Sequence, residues 1–256
     1  MTRLTKGENW YELAVRLEGD IVQRFLQYFF YYYHPKRGAI PSRDIASHPI
    51  QTTLRDLYPT LHYTLQSSTL PVAFLACGSS RSGCLPFAPI RATPTLFQIE
   101  SIRRARRTIF IQTPNLNSRA IIKALKNALL KNIKVTICIP KNMMVLESIV
   151  TGWSTTKCCV TLLQRWALRR PETSLNVQWF KSDETQAFVV DGDKSHIKFM
   201  VVDEALVLVG SGNLDRASAC TSGEVNVAIY NSEFAHQILA AIKRHQRTDF
   251  GSTEPV

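Results

Sequence analysis

The sequence predicts an α/β fold, and three observations indicate it. From residue 95 onward, stretches with helical apolar spacing alternate with short apolar runs of strand length. Two further apolar runs flank an Asp-Glu turn and are typical of a hairpin. The chain closes on an amphipathic segment, and its 256 residues suffice for one large domain or two small ones.

The N-terminal third is the least regular part of the chain. Alternating residues at 10–17 predict a strand, and Asp20 is placed to cap a helix at 21–33. Seven residues of that helix are aromatic, which indicates a buried helix, with an interface or membrane surface as the alternative. Residues 34–94 are rich in Pro, Ser, Gly and Thr and predict loops, with a short strand near 71–77.

From residue 95 the periodicity predicts a helix-strand-helix-strand unit. The strands are 108–112 and 134–139, and Asn117 or Ser118 caps the helix between them. Such a unit has parallel strands and a right-handed crossover. The apolar positions of the two helices are Leu96, Ile99, Ile102 and Ala105, then Ile121, Leu125, Ala128 and Leu129.

The remaining elements are predicted from the same signals. Residues 141–175 indicate basic helices, and 176–181 and 187–190 indicate strands. The closing helix spans 233–247, and Ser232 is expected to be its N-cap.

The composition limits the kinds of partner and the cellular compartment that we expect for this protein. A formal net charge of +11 favours anionic partners such as nucleic acid, phosphate esters or acidic lipid, although solubility alone also explains such a charge. The six cysteines have no metal-ligand spacing, so a zinc site is not expected. No cofactor is expected either. Without an apolar leader or a segment of spanning length, we expect an intracellular protein, cytoplasmic or peripheral to a membrane.

The predicted hairpin at 196–202 and 205–209 gathers polar side chains at one end. His196 and Lys198 are two residues apart on a strand and therefore share a face. Paired positions in a hairpin sum to a constant, which sets His196 opposite residues 211–213. An imidazole, an ammonium, a hydroxyl and an amide are thus expected to meet at one site.

That set of groups suits the chemistry of a phosphoryl group. His196 can attack phosphorus or donate a proton, because imidazole titrates near neutrality. Lys198 and Asn213 offer donors to phosphoryl oxygens, and Glu224 can orient a histidine ring. The candidate catalytic residues are therefore His196, Lys198, Ser211, Asn213 and Glu224, while Asp203 and Gly210 are expected to be structural.

The spacing of these candidate residues resembles the motif of a known protein family. His196-x-Lys198-x4-Asp203, followed by Gly210-Ser211-Gly212-Asn213 and Glu224, resembles the motif of the phospholipase D superfamily. Six such positions match by chance on the order of once in 10⁸ starting points. Residues 95–246 resemble the C-terminal repeat of fungal phospholipase D-like proteins. Residues 9–26 resemble the segment that follows the first motif in members with two motifs.

The resemblance implies a fold and a mechanism. It implies a phospholipase D-like α/β/α sandwich, with one complete half at 95–247, a remnant of the other at 1–94, and a disordered tail at 248–256. It implies a phosphodiesterase or transphosphatidylase that acts on a phospholipid or related phosphodiester through a phosphohistidine, without a metal. By position His196 is the general acid, or the nucleophile if the chain has this motif alone.

The first motif of the pair is missing. His34-Pro35-Lys36 has the HxK spacing, but Pro41 stands where an aspartate is required, so we treat it as a decoy. A truncated gene product or a degenerate copy explains this pattern. Activity then requires a second histidine, which a homodimer supplies. The alternatives are an inactive half-site that binds phosphate groups, or a homodimeric nuclease, although nucleic acid is the less expected substrate.

Overall fold

The computed structural model describes residues 13–32, 70–79, 90, 92–140, 145, 149, 154–182 and 194–249. The chain divides into two compact units, residues 17–70 and the remainder. In the first unit the described residues hold one helix, α1 (Ile21–Tyr32), within one residue of the predicted bounds. The predicted strand at 10–17 is wrong for residues 13–17, which have no regular structure, and its first three residues lie outside the described ranges.

The second unit is built on a mixed sheet. Within the described residues, eight strands lie in the order β1-β7-β6-β5-β2-β3-β4-β8. Strands β2, β3 and β4 are parallel, and the other neighbours are antiparallel. In chain order the elements are β1 (Val72–Cys77), α2 (Thr93–Arg104), β2 (Thr108–Gln112), α3 (Arg119–Leu130), β3 (Lys134–Ile139), α4 (Thr156–Leu168), β4 (Leu175–Ser182), β5 (Phe199–Val202), β6 (Leu206–Gly210), α5 (Arg216–Cys220), β7 (Glu224–Tyr230), α6 (Ser232–His245) and β8 (Gln246–Asp249).

Helices cover both faces of this sheet, which confirms the predicted α/β/α sandwich. Strands β2, β3 and β4 are parallel neighbours joined by α3 and α4, and crossovers of one hand put both helices on one face. Residues of α2, α3 and α4 form one core with Ile109, Ile111 and Ile137. Helix α6 lies against β6 and β8 on the other face, where it buries Ala235 and Ile238.

The predicted helix faces are mostly confirmed. All four apolar positions predicted for α3 are buried, as are Ile99, Ile102 and Ala105 at α2. Leu96 is 48% exposed, so its assignment to the core is wrong. The buried face of α2 is centred on Thr95, Gln98 and Ile99, which turns Leu96 towards solvent.

The β5–β6 hairpin has the predicted register. Phe199 pairs with Val209 and Val202 with Leu206, so continuing the register places His196 opposite Gly212. The turn residues Asp203 and Glu204 both have φ of 54°, and the Ala205 N–H donates to the Val202 carbonyl at 3.1 Å, so they are the central pair of a β-turn with positive φ at both positions, as in type I′. Because Val202 pairs with Leu206, the connection between the two strands has three residues, 203–205.

The strand predicted at 196–202 is shorter than expected, because β5 begins at Phe199. Beyond that residue one long bond remains, from the Gly210 N–H to the Lys198 carbonyl at 3.4 Å, and the following residues of the returning chain bond to β7. The Ser211 amide donates to the Val225 carbonyl at 2.9 Å, and the Gly212 amide donates to the Asn226 side chain at 3.0 Å.

Two end assignments are corrected, one by a side-chain hydrogen bond and one by strand pairing, and a third is confirmed in position. The N-cap of α6 is Asn231 rather than Ser232, because its Oδ1 accepts the Phe234 N–H at 2.7 Å. Ser118 occupies the N-cap position of α3 without a capping side-chain bond. Thr248, expected in a disordered tail, pairs with β4 as part of β8. The predicted strand at 187–190 and residues 250–256 lie outside the described residues.

The edge strand β1 lies before the expected domain boundary at residue 94 but belongs to the sheet that follows it. That division assigned residues 72–77 to the N-terminal half, but β1 pairs along its whole length with β7. Antiparallel pairing of Cys77 with Glu224 brings this edge strand beside the motif. The sheet of the second unit therefore includes β1, whose residues precede the expected boundary.

Candidate active site

One edge of the sheet collects the predicted site residues. His196 and Lys198 precede β5, Ser211 and Asn213 follow β6, and Glu224 begins β7. Because β5, β6 and β7 are antiparallel neighbours, these three chain ends lie at the same edge. The loop 113–118 after β2 lies at this edge too, since Leu116 forms a parallel bridge with Leu214.

Lys198 is engaged with the backbone of its own motif. Its Nζ donates to the His196 carbonyl at 2.7 Å, and both residues are partly buried. An ammonium has three donors, and the contact of Lys198 with a phosphoryl oxygen stays a prediction. Lys198 also lines a small cleft with Gln98, Thr113 and Gly212.

Glu224 holds two hydroxyl groups at this edge. Its Oε2 accepts from Ser211 Oγ at 2.5 Å, and its Oε1 accepts from Ser218 Oγ at 2.7 Å. The Ser211 hydroxyl in turn accepts the Val225 N–H at 3.0 Å. Each carboxylate oxygen keeps a second lone pair, so the expected bond to a histidine ring stays a prediction.

Asn213 is held by a carboxylate that the sequence analysis did not single out. Its Nδ2 donates to Asp215 Oδ2 at 3.3 Å, and its backbone N–H donates to Ser218 Oγ at 3.0 Å. Asn213 Oδ1 is buried and has no partner within the part of the chain that the structure describes. One amide proton remains for a phosphoryl oxygen, the role predicted for this residue.

Asp215 is fully buried and is the centre of this network. Its carboxylate accepts from the Ser218 N–H at 2.8 Å and from Asn115 Nδ2 at 3.2 Å, besides Asn213. Burial raises the pKa of the Asp215 carboxyl, and these hydrogen bonds oppose the rise. The sequence carried a signal for it, because an aspartate three residues before Ser218 has the spacing of a helix N-cap, here of α5.

The two glycines of the motif lie against β7. A Cβ built on Gly210 meets the Val225 carbonyl oxygen at 2.3 Å and the Asn226 Cα at 2.5 Å. A Cβ on Gly212 meets only the Asn226 side chain, at 3.1 Å. Gly210 is therefore required by close backbone approach, while Gly212 lies against a side chain that can adjust.

Asp203 lies at the opposite end of the hairpin and binds backbone. Its Oδ1 accepts from the N–H groups of Arg107 at 2.7 Å and Thr108 at 3.0 Å, and its Oδ2 accepts from Arg106 at 2.9 Å. Three backbone donors at the start of β2 are thus satisfied by one carboxylate. The contact fixes the hairpin turn to the α2–β2 connection.

A second buried polar cluster holds the residue before His196. Ser195 Oγ accepts from Gln112 Nε2 at 2.9 Å, and the amides of Gln112 and Gln246 exchange hydrogen bonds of 3.0 and 3.1 Å. Gln112 and Ser195 are fully buried. This cluster ties the segment that carries His196 to the ends of β2 and α6, and nothing in the local periodicity indicated it.

Four further points concern the chain outside the motif. The described residues contain no group of three or more His, Cys, Asp or Glu side chains suited to a metal. Cys138 lies in the core, where burial raises the pKa of its thiol to about 12. Searching the described residues for a helix long and apolar enough to cross a membrane finds none. The decoy at His34 lies outside the described ranges.

A family model described as "Cardiolipin synthase, PLD-like domain" matches residues 98–246, more than half of the chain. The chain belongs to this family, within the phospholipase D superfamily. The matched region of this PLD-like domain includes all the predicted site residues, Asp215 and the Gln112 cluster.

Curated relatives of this PLD-like domain are longer proteins. The major cardiolipin synthase ClsA of Bacillus subtilis (strain 168) is 28% identical over 146 residues, which cover 57% of this chain and 26% of the relative. A cardiolipin synthase of Staphylococcus aureus (strain Mu50) is 26% identical over 144 residues, covering 56% and 25%. The chain thus spans about a quarter of the length of these relatives.

Solved structures similar to the PLD-like domain include two with low sequence identity. Nuc from Salmonella typhimurium, described as a phospholipase D family member, is 18% identical with a TM-score of 0.49 and covers 72% of this chain and 100% of that one. Phosphatidylserine synthase from Haemophilus influenzae Rd KW20 is 15% identical with a TM-score of 0.48, covering 80% and 48%.

Proposed function

We propose that this chain supplies half of the active site of a phospholipase D-type phosphodiesterase or transphosphatidylase that acts on a phospholipid or related phosphodiester. The observation that carries the proposal is the single sheet edge at which His196, Lys198, Ser211, Asn213 and Glu224 meet. Membership of a family described as cardiolipin synthase supports a phospholipid as the substrate class.

The proposed reaction has two displacement steps at phosphorus. A histidine nitrogen attacks the phosphodiester and forms a P–N bond, while the P–O bond to the leaving alcohol breaks. A second histidine protonates that alkoxide oxygen. Water or another alcohol then gives its proton to the second histidine and attacks phosphorus, releasing the first histidine. Lys198 and Asn213 stabilise the charge that develops on the phosphoryl oxygens.

The second histidine is the missing group. Among the described residues, only His196 has a lysine two positions on. A homodimer that places two His196 residues about a two-fold axis supplies it, because an isologous interface brings the same residue in from both copies. One His196 is then the nucleophile and its counterpart is the general acid.

The test measures molar mass in solution beside phosphodiester turnover. The full chain is assayed on a short-chain phosphatidylglycerol and on single-stranded DNA, with His196→Ala as the negative control. The matched control is His236→Ala, because His236 is exposed and pairs with Glu204 at 3.0 Å away from the motif edge. We expect a dimer that turns over the lipid, a loss of about 10³-fold in His196→Ala, and wild-type activity in His236→Ala.

Turnover that persists in His196→Ala would overturn the site assignment, and turnover of DNA instead of lipid would make the protein a nuclease. A monomer without turnover would favour the second candidate, an inactive half-site that binds phosphate groups. That candidate is favoured by the internal bonds of Lys198 and Asn213, which hold both donors in a fixed place without substrate. Inorganic phosphate that binds wild type but not Lys198→Ala would identify it.

A further inference from the structure

The outer faces of α3 and α4 carry charge of one sign. Segments 119–134 and 154–170 contain nine Lys and Arg residues and no Asp or Glu. A surface of this kind attracts a partner with many negative charges. Seven of these nine cations are exposed to solvent, namely Arg119, Lys123, Lys131, Lys134, Lys157, Arg165 and Arg169.

Large apolar side chains stand among these cations. Leu162 is 57% exposed and Leu168 is 79% exposed, both on α4, and Leu130 at the end of α3 is 53% exposed. Leu162, Arg165 and Arg169 follow one another at steps of three and four residues along the outer side of α4 and its C-cap. Exposed leucines between cations are the composition of helices that lie in the interface of a bilayer.

The two helices form one surface through a stacked tryptophan. The Lys126 ammonium lies 5.4 Å from the centre of the Trp166 ring, and the Arg170 guanidinium carbon lies 4.3 Å from it. Trp166 on α4 is thereby joined to α3, and indole rings favour the boundary between water and lipid. We call the outer sides of these helices, with Leu130, Leu162, Trp166 and Leu168, the α3–α4 face.

Both helices of the α3–α4 face begin at the motif edge. Thr156, the first residue of α4, accepts the Leu116 N–H at 3.0 Å, and Leu116 forms the bridge to Leu214 of the motif segment. From that edge α3 and α4 run to the opposite end of the sheet, where Leu130 and Leu168 lie.

We propose that the α3–α4 face binds the headgroup region of an anionic phospholipid membrane. The cations contact lipid phosphates, and Leu162 and Leu168 enter the boundary of the acyl chains. The leucines decide between lipid and nucleic acid, because a nucleic-acid surface uses cations and stacked aromatic rings and gains nothing from exposed leucines. The proposal concerns binding alone, so it does not rest on the proposed phosphodiester chemistry.

The experiment is flotation of the full chain with vesicles of phosphatidylcholine, with and without phosphatidylglycerol. We expect binding only to the mixed vesicles. Arg165→Glu with Arg169→Glu should weaken vesicle binding by about tenfold or more, because each basic residue near an anionic surface contributes to the binding free energy. Leu162→Gln with Leu168→Gln should weaken it by roughly tenfold, because less apolar surface enters the bilayer.

The charge-matched control is Lys243→Glu with Arg244→Glu. These exposed cations lie on α6, on the opposite face of the sheet, and the double variant changes the net charge equally. We expect it to retain binding within about threefold. All six positions are exposed, and thermal melting of each variant checks that it remains folded.

Four results would overturn the proposal. The first is a wild type that does not bind the mixed vesicles, and the second is a control variant whose vesicle binding falls as much as that of the arginine variant. The third is a leucine variant that binds vesicles like wild type while the arginine variant no longer binds single-stranded DNA, and the fourth is a leucine variant that changes from dimer to monomer. The last would mean that a second copy covers this face. His196→Ala is expected to bind vesicles like wild type, so a loss of turnover can be distinguished from a loss of membrane binding.

Discussion

Asn213 donates its side-chain amide to the fully buried carboxylate of Asp215, with 3.3 Å between nitrogen and oxygen. Asp215 also accepts from Asn115 in the loop after β2, so one carboxylate joins two segments of the motif edge. Ser218 extends the contact to Glu224. The position of Asn213 at the candidate site therefore depends on an acidic group that itself has no access to solvent.

Asp215→Asn tests this dependence through the pH profile of stability. Because the pKa of Asp215 is raised in the folded state, its contribution to the unfolding free energy is full below the unfolded pKa of 3.8 and is lost as pH rises through the folded pKa. We expect wild type to lose stability relative to Asp215→Asn as pH rises from about 4 to neutrality. Urea unfolding of both proteins at several pH values measures the difference. A stability of wild type, relative to Asp215→Asn, that stays constant or rises with pH would contradict the raised pKa.

Asp203→Ala is expected to act on stability and leave the chemistry intact. The substitution leaves three backbone N–H groups of Arg106, Arg107 and Thr108 without their acceptor, which costs about 2–4 kcal/mol. Glu204→Ala is the matched control, because this neighbouring turn residue makes an exposed contact with His236 that contributes little. Melting temperature and turnover per folded molecule are the measurements. An unchanged melting temperature together with lost turnover would assign Asp203 to the chemistry instead.

Gly210→Ala should be far more disruptive than Gly212→Ala. The added methyl at 210 meets backbone of β7 on two atoms, and neither the Val225 carbonyl nor the Asn226 Cα can move without breaking the β6–β7 ladder. At 212 the nearest atom belongs to the Asn226 side chain, which can yield. We expect a loss of about 3 kcal/mol or more at 210 and about 1 kcal/mol at 212. Equal losses of unfolding free energy in urea would show that the backbone approach at Gly210 is not limiting.

Lys198→Ala is expected to weaken phosphate binding more than it weakens the fold. Removing the ammonium takes away a donor to the phosphoryl oxygens and also the bond to the His196 carbonyl. Because Lys198 is only partly buried, we expect a stability loss near 1 kcal/mol but a fall in turnover of about 10²-fold or more. Lys198→Arg, which keeps the charge, should recover part of the activity. A Lys198→Ala variant that binds inorganic phosphate like wild type would show that the ammonium is directed elsewhere.

Much of the fold followed from local periodicity. The helix at 21–33, the α3 face with Ile121 and Leu125, and the parallel strand unit were all predicted within a few residues. The hairpin register was predicted because a period of two and a short turn leave few alternatives. Errors occurred at element ends, such as Leu96 and Asn231, where tertiary packing or one side-chain hydrogen bond decides the boundary.

The sequence by itself determined the candidate motif, since spacing along adjacent strands is enough to bring His196 to the same edge as Ser211 and Asn213. Only the tertiary structure decided what holds that motif in place. Asn115 reaches Asp215 across 100 residues of chain, and Gln112 reaches Gln246 across 134. No periodicity records such a pairing, because a buried amide or carboxylate finds its partner only after the strands and loops from distant parts of the chain have packed together.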